Sequence, residues 1–446
     1  MIRKAFIGFI FAFTTILSSS AQEVKQWTLL ECINYAHENN ITIQRQLLNA
    51  EYQQNLYKQS KLDMLPNLNA SINGALNFGY TWIQQDATNL DMNTRSLSTG
   101  IGSNLTVFQG LAKQNTVKKN KYLLMQALED NEKTKNDIAL LITSQYLQIL
   151  FDKELLAVAK EQYETSKLQV ERTQKLVDAG SVATGNLLEI KSQAAKEALN
   201  VTQQENNLGL SKLTLAQLLD LENILDFDIE SPVIPELTDF TPAGPENIYQ
   251  TALGIMPQIK SSEYNVNSSE YDLKIAKGAY YPTLSLGANM GANANWLVED
   301  PNGYNRPLWD QFKSTRNTYV GASISIPIFN KLQTRNGVAN AKLGLQDAQY
   351  QLQAAKLDLR KDIQQAYADA LAAYKQFLSS EEAVESYKES FRYTEKKFNV
   401  GLVNSVDYNV SKTDFTKAQS DLLQAKYSYI LRTKILDFYK GTPIEL

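Results

Sequence analysis

Two very long stretches without a helix breaker limit what this chain can fold into more than any other feature. Leu111 to Asp178 contains neither proline nor glycine, and Lys331 to Val400 contains only Gly337 and Gly344, near its start. As single helices at about 1.5 Å per residue, each would span roughly 100 Å. An ordinary globular helix has about 11 residues. Rods of this length persist only when packed side by side.

The sequences that follow supply the packing. Leu187, Ala194, Val201, Leu208 and Leu215 recur every seven residues, as do Tyr408, Phe415, Leu422, Tyr429 and Leu436. Ile190, Ala418 and Ala425 add the alternate seam position of a heptad. Each long helix is therefore expected to pair with a returning one, reversed at Gly180 or Gly401, where a left-handed residue turns the chain. Helices alone fit a structural coiled-coil rod equally well.

The chain is also written twice. Ala36 and Ala252, like Pro66 and Pro282, lie 216 positions apart. Phe108 and Phe329, Asn115 and Asn336, Tyr146 and Tyr367, and Gly180 and Gly401 lie 221 apart. This predicts a first repeat over 22–225, with a helix from Leu29 to Met64, a β-hairpin over 67–108 and a helical hairpin over 111–219. A proline-rich linker over 226–245 follows. The second repeat, 246–446, has its first helix from Asn247 to Ala279, its β-hairpin over 283–329 and its helical hairpin over 331–439.

The strand segments alternate. Leu68, Ala70, Ile72, Leu76, Phe78, Tyr80 and Trp82 fall on one face, and Asn67, Asn69, Ser71, Asn73, Asn77 and Thr81 on the other. Leu284, Leu286, Ala288, Met290, Ala292, Ala294 and Trp296 alternate in the same way with Thr283, Ser285, Asn289, Asn293 and Asn295. Alternation fits any half-buried sheet. An uncharged face of Asn, Ser and Gly suits a water-filled barrel lumen, and the apolar face suits lipid. Tyr80, Trp82, Trp296 and Tyr319 stand toward strand ends, as an aromatic girdle would. Four strands cannot close around a lumen, since a small filled barrel already takes about eight; the strands must be pooled between chains. The polar loops Gln84 to Arg95 and Val298 to Arg316 would face outside.

Composition closes other routes. Residues 1–21 read as a secretory signal: Arg3 and Lys4, an apolar run from Ala5 to Leu17, then Ser19-Ser20-Ala21. Gln22 rather than Cys follows, so no lipid anchor is expected. Removing Arg3 and Lys4 takes the formal charge from −4 to −6, which argues against nucleic acid as a partner. One Cys and one His exclude a disulfide framework and leave Cys32 and His37 as a packed thiol and an ordinary imidazole. No Ser-His-Asp set is available beyond the lone His37 and no glycine-rich phosphate loop appears, so neither an enzyme nor a cofactor is expected. No apolar run in the mature chain is long enough for a membrane helix.

In these features the chain from Trp27 to Leu446 resembles the TolC-like outer membrane efflux family. The resemblance rests on the duplicated order of elements, the prolines at strand ends (Pro66, Pro282, Pro327) and one specific stretch. That stretch is Phe398-Asn399-Val400-Gly401-Leu402-Val403-Asn404-Ser405-Val406-Asp407, which matches the family's F-x-x-G-L-x-x-x-x-D tip. Copy one carries a fainter version, Val177 to Val182, with Asn186 at the place of Asp407.

The resemblance implies a mixed fold, a membrane β-barrel continued by an α-helical coiled-coil barrel. It implies a homotrimer with four strands per chain and twelve in all, in the outer membrane of a Gram-negative bacterium with its helices in the periplasm. The function implied is the exit duct of a tripartite efflux or type I secretion system. Its partners would be outer-membrane lipid, a periplasmic adaptor and an inner-membrane RND or ABC pump. A passive porin and a coiled-coil stalk are the alternatives. Gly180, Ser181, Val182, Gly401, Leu402 and Val403 would be the adaptor-docking tips; Asn186, Glu189 and Asp407 would line the periplasmic gate. The best-known members carry two acids three residues apart at the aperture, where this chain has Asp407 and Val410. Phe398 and Val403 replace the Tyr and Arg that lock those gates. Asp407 could line the pore, cap the returning helix, or do both.

Overall fold

The fold is described from a computed structural model over residues 26–83, 88–91, 93–221, 227–232, 244–300, 303 and 305–446. The expected signal sequence, part of the first outer loop and the middle of the linker lie outside these residues. In chain order the elements are β1 (Gln26–Trp27), α1 (Leu29–Asn39), α2 (Ile41–Leu62), β2 (Asn69–Asn77), β3 (Tyr80–Ile83), β4 (Thr88–Asp91), β5 (Thr94–Gln109), α3 (Ala112–Asp178) and α4 (Thr184–Leu218). The second repeat follows as β6 (Asp228–Ile229), α5 (Pro245–Ile255), α6 (Pro257–Gly278), β7 (Thr283–Leu297), α7 (Leu308–Thr315), β8 (Asn317–Ser325), α8 (Gln333–Asn399) and α9 (Ser405–Lys440).

The first helix of each repeat is broken in two, where one continuous helix was expected. In copy one Asn40 adopts an extended backbone and caps α2, its side chain accepting from the Thr42 amide at 3.0 Å. Its amide group also donates to the Leu218 carbonyl at 3.1 Å, tying the break to the end of α4. In copy two Pro257 cannot donate to the turn before it, so α5 stops at Ile255 and α6 begins on the proline.

In each repeat the long helix is shared. The first part of α3 packs against α2 and its remainder against α4; α8 does the same with α6 and α9. The short helices α1 and α5 close two apolar cores at mid-height. One holds Ile33, Ala36, Ile142, Tyr146 and Leu215, the other Ile248, Ala252, Leu359, Ile363 and Leu436. Part of the expected linker is structured: Asp228–Ile229 pairs in parallel with Gln26–Trp27. Asp228 is held there by Lys153 at 2.9 Å and Lys212 at 3.0 Å.

The main sheet runs β2-β5-β7-β8, all antiparallel, so the two repeats join through the long β5–β7 pair. β3 and β4 form a separate small hairpin beyond Gly79. The corners from sheet to long helix are equivalent: Leu111 and Leu332 both adopt φ 62°, a left-handed conformation seldom taken by branched side chains. At the first corner Gly110 lies so near Gly278 that a Cβ on it would stand 2.2 Å from the Gly278 carbonyl oxygen.

Candidate functional site: the sheet and the helical tips

Register assigns each strand residue to a face, because directly paired residues share one. Ile101 faces Ala70 and Met290; Leu286 faces Ala322, and Leu284 faces Ile324. On the other face Ser71 pairs with Gly100, Gly100 with Gly291, Asn73 with Ser98 and Ser98 with Asn293. That polar face carries no charged residue along the four strands. The apolar face has almost no cover within the chain: Leu68, Ile72, Leu76, Ile101, Met290, Val320 and Ile324 are all exposed. Leaving such side chains in water instead of burying them costs on the order of 10–20 kcal/mol in sum, so the face needs a non-aqueous neighbour. Among the described residues, no helix is long and apolar enough to cross a membrane.

One expected girdle residue is on the wrong face. Tyr319 pairs with Asn289 of the polar face, and its ring lies over Gly321, two residues on. The start of β8 had suggested an aromatic belt, but one step of register in a strand exchanges the faces. Trp296 does stand on the apolar face, paired with Arg95; Tyr80 and Trp82 are exposed on β3.

At the opposite end, two turns sit side by side. Gly180 (φ 69°) and Gly401 (φ 78°) reverse the chain in the left-handed conformation. The amide after each glycine bonds back across the last helical turn, Ser181 to the Leu176 carbonyl at 2.8 Å and Leu402 to the Lys397 carbonyl at 2.9 Å. Asn404 caps α9, accepting from the Asp407 amide at 2.8 Å. Asp407 is thus a first-turn acid rather than the cap, with its carboxylate near the positive end of the helix.

The three expected gate residues do not share one surface. Asn186 and Asp407 line an open cleft of about 570 Å³ between the tips, with Arg172, Phe398 and Val403. Glu189 lines a different groove beside Val406 and Val410. There it accepts a hydrogen bond from Ser405.

Several residues at this end escaped the sequence reading. Arg172 of α3 donates to the Asn399 side chain and, at 3.2 Å, to the Asn399 carbonyl at the end of α8. Lys412, only 1% exposed, donates to the Gln162 carbonyl at 3.0 Å and to Ser166 Oγ at 2.6 Å, and pairs with Glu197 at 3.1 Å. Burial pushes its ammonium pKa down, and Glu197 opposes that. Phe398 stacks on Tyr408 with centroids 4.6 Å apart; burial pushes the Tyr408 hydroxyl up to about 12.

These contacts belong to a pattern. Ser405, Lys412, Gln419 and Lys426 follow one another every seven residues on α9, and each meets the first repeat. Their partners are Glu189, Glu197, Gln162 (3.3 Å) and Glu154 (3.1 Å). Three residues after each stand Tyr408, Phe415, Leu422 and Tyr429. Of these, Tyr408 and Phe415 pack on Phe391 of α8, and Tyr429 on Tyr374 and Phe377 of the same helix. So toward the tips α9 has an apolar seam to its own hairpin and a polar seam to the other, while nearer mid-height Tyr427 and Ile430 join the first repeat's apolar core. The signal was present in the sequence, as polar residues at heptad spacing.

Residues 248–441 match the sequence model of the outer membrane efflux protein family. The chain is 23% identical over 302 residues to the outer membrane protein TolC of Vibrio cholerae, covering 67% of this chain and 66% of that one. The match to TolC of Escherichia coli spans 60% of that protein, at 21% identity. It is 22% identical over 437 residues to the probable efflux pump outer membrane protein TtgC of Pseudomonas putida, covering 93% and 82%. Among solved structures, CusC superposes with a TM-score of 0.80 at 16% identity, covering 93% of this chain and 92% of that one. The outer membrane protein VceC of Vibrio cholerae gives 0.77 at 17%, covering 94% and 97%. In the sequence of its second repeat and in its fold, the chain is similar to the TolC-like outer membrane efflux proteins.

Proposed function

We propose that three copies of the chain form an exit duct of an efflux or type I secretion system. It would carry small molecules or polypeptides from a periplasmic adaptor and inner-membrane pump to the outside. The observation that carries this reading is a sheet that cannot be complete alone, standing on helices of roughly 100 Å. Both its edges, β2 and β8, are bare, and its faces are sorted into apolar and uncharged polar. A porin has no use for the helices, and a stalk has no use for the sheet.

The edges also set a geometry. β2 lies level with residues 289–297 of β7, whereas β8 pairs with 283–291. Pairing β8 of one copy with β2 of the next over their full length takes a stagger of about six residues per copy, or about 18 for three. In a 12-strand barrel that stagger corresponds to a strand tilt of about 45°, close to the range of membrane barrels. Because six is even, the polar face of each copy continues into the polar face of the next.

The duct performs no chemistry. Its passage is controlled at the tips, where the polar seam joins the α8–α9 hairpin to the α3–α4 hairpin. Hydrogen-bonded polar contacts exchange for water at small net cost, whereas the apolar α8–α9 seam does not, so the hairpin moves as a unit. An adaptor that binds the separated tips better shifts the population toward open. Relatives named for toluene and antibiotic efflux favour small apolar cargo. A photo-crosslinker at position 402 in cells tests the reading. Recovery of a periplasmic adaptor is the expected outcome; a trimer in the outer membrane that crosslinks only to itself overturns it.

A further inference from the structure

Strand β8 is much shorter than the strand it pairs with. It begins at Asn317, opposite Gly291, while β7 continues to Leu297. The outer part of β7 therefore has no strand on that side, and a bare edge leaves a row of unpaired backbone groups. Here the returning segment fills them with side chains. Thr315 Oγ1 accepts from the Asn293 amide at 3.0 Å and lies 2.6 Å from the Asn293 carbonyl oxygen. Gln311 Oε1 accepts from the Asn295 amide at 2.8 Å. Asn305 accepts from the Leu297 amide at 2.7 Å and donates to its carbonyl at 3.0 Å. Residues 293, 295 and 297 are the alternate positions a neighbouring strand would bond.

This stitching fixes how α7 is rotated. The helix descends beside β7, antiparallel to it, with Gln311 and Thr315 turned to the strand edge. At 100° per residue, Leu308, Phe312 and Trp309 then occupy one flank and Asp310 and Ser314 the other, with Lys313 turned directly away from β7. The hand of each flank follows from chirality. Asn293 and Asn295 point to the polar face while their amides point to α7, and the helix is right-handed. The Leu308–Phe312–Trp309 flank therefore lies on the side of the sheet that carries Ala294 and Trp296. Trp309 is 74% exposed and meets Phe312 edge-on, with ring centroids 6.2 Å apart. The Trp296 indole N–H reaches the Arg306 carbonyl at 3.1 Å, joining the sheet's rim to the same segment.

We propose that α7 is an interfacial anchor whose Leu308, Phe312 and Trp309 lie in the outer leaflet of the outer membrane. It rests on the barrel reading, which makes the Trp296 side of the sheet the lipid side. Its occupant is lipid rather than a second copy because the aromatic flank continues the sheet's apolar face, whereas the side turned away from β7 carries Lys313. Indoles favour this depth, with an apolar body and a polar edge at the headgroups. The anchor also places the helix where β8 is missing, so the gap in the strand wall is covered by a side-chain ladder on one flank of α7 and by lipid on another.

The test uses the full-length protein in vesicles of brominated-acyl phosphatidylcholine, against vesicles of the unbrominated lipid. The chain has 4 tryptophans, so the difference between wild type and Trp309→Phe isolates Trp309. Trp309 is expected to lose most of its fluorescence in brominated vesicles and to resist quenching by aqueous iodide. Strong iodide quenching without bromine quenching overturns the anchor, and so does protection from both, which would place a second copy over the helix. Val320→Trp, on the apolar face of β8, separates this from the barrel reading. If Val320→Trp is bromine-quenched while Trp309 is not, only the anchor fails; if neither is quenched, the barrel reading fails with it.

Discussion

At the scale of single residues, the most consequential side chain near the tips is Lys412. It is buried against Glu197, Ser166 and the Gln162 carbonyl, and removing one partner of such a pair strands the other charge. Glu197→Ala is expected to lower stability by about 3 kcal/mol. The double variant Glu197→Leu/Lys412→Met, which replaces both charges with apolar volume, is expected to cost less than about 1 kcal/mol. Chemical denaturation in detergent checks this, and a double variant as weak as Glu197→Ala would contradict it. Asp228 gives a pH signature. Burial pushes its carboxyl up, but hydrogen bonds from Lys153 and Lys212 outweigh that and hold it below its ordinary value of 3.8. A depressed carboxyl contributes stability that is present above the unfolded pKa and lost as pH falls through the folded one. Asp228→Asn should therefore be less stable at pH 7 but lose less on acidification below 3.8; parallel melting curves for the two proteins would exclude the pairing. Residues of this kind were the least legible in the sequence. Heptad spacing marks Lys412 as a seam position but not as buried, which depends on three helices meeting, and Tyr319 falls on the polar face through strand register.

At the scale of elements, the sequence was far more informative. The long helices follow from missing breakers, their turns from Gly180 and Gly401, and the strands from a period of two, because each is a local pattern repeated many times. What the sequence did not disclose were interruptions and second uses of a pattern. The break at Asn40 looks like ordinary helical sequence, and its cause is a distant contact with the end of α4. The loop after β7 reads as polar, yet its Gln311 and Thr315 are spaced to serve a strand edge. The α9 seam was read for its apolar half alone. If its polar half lets the hairpins part, making it apolar should hold them together. The double variant Glu197→Leu/Lys412→Met is expected to reduce export with stability equal or higher, measured by cargo accumulation in cells; undiminished export would count against movement along this seam. Leu402 is 74% exposed at the second tip. Leu402→Glu should abolish export without loss of the proposed trimer, and full export from that variant would remove the tip from the proposed docking surface.

At the scale of the whole molecule, one chain presents an unfinished object. Its sheet ends in two bare edges of matching length, and its apolar face has almost no cover within the chain. The proposed trimer resolves both, with lipid on one side and a continuous polar lumen on the other. That closure makes a definite demand on residues far apart in the chain. With the stagger set by the edges, Ser71 of one copy stands opposite Ser323 of the next, both on the polar face. Within a chain they lie on opposite edges of the sheet, separated by three strand spacings of about 4.8 Å each, too far for a disulfide. The native thiol, Cys32, is buried and does not compete. The most direct measurement is therefore oxidation of Ser71→Cys/Ser323→Cys in outer membranes, read on a denaturing gel. A covalent trimer that reverts to monomer on reduction is the predicted result. Monomers alone, or bands that stop at the dimer, would contradict the closed three-chain barrel on which the duct depends.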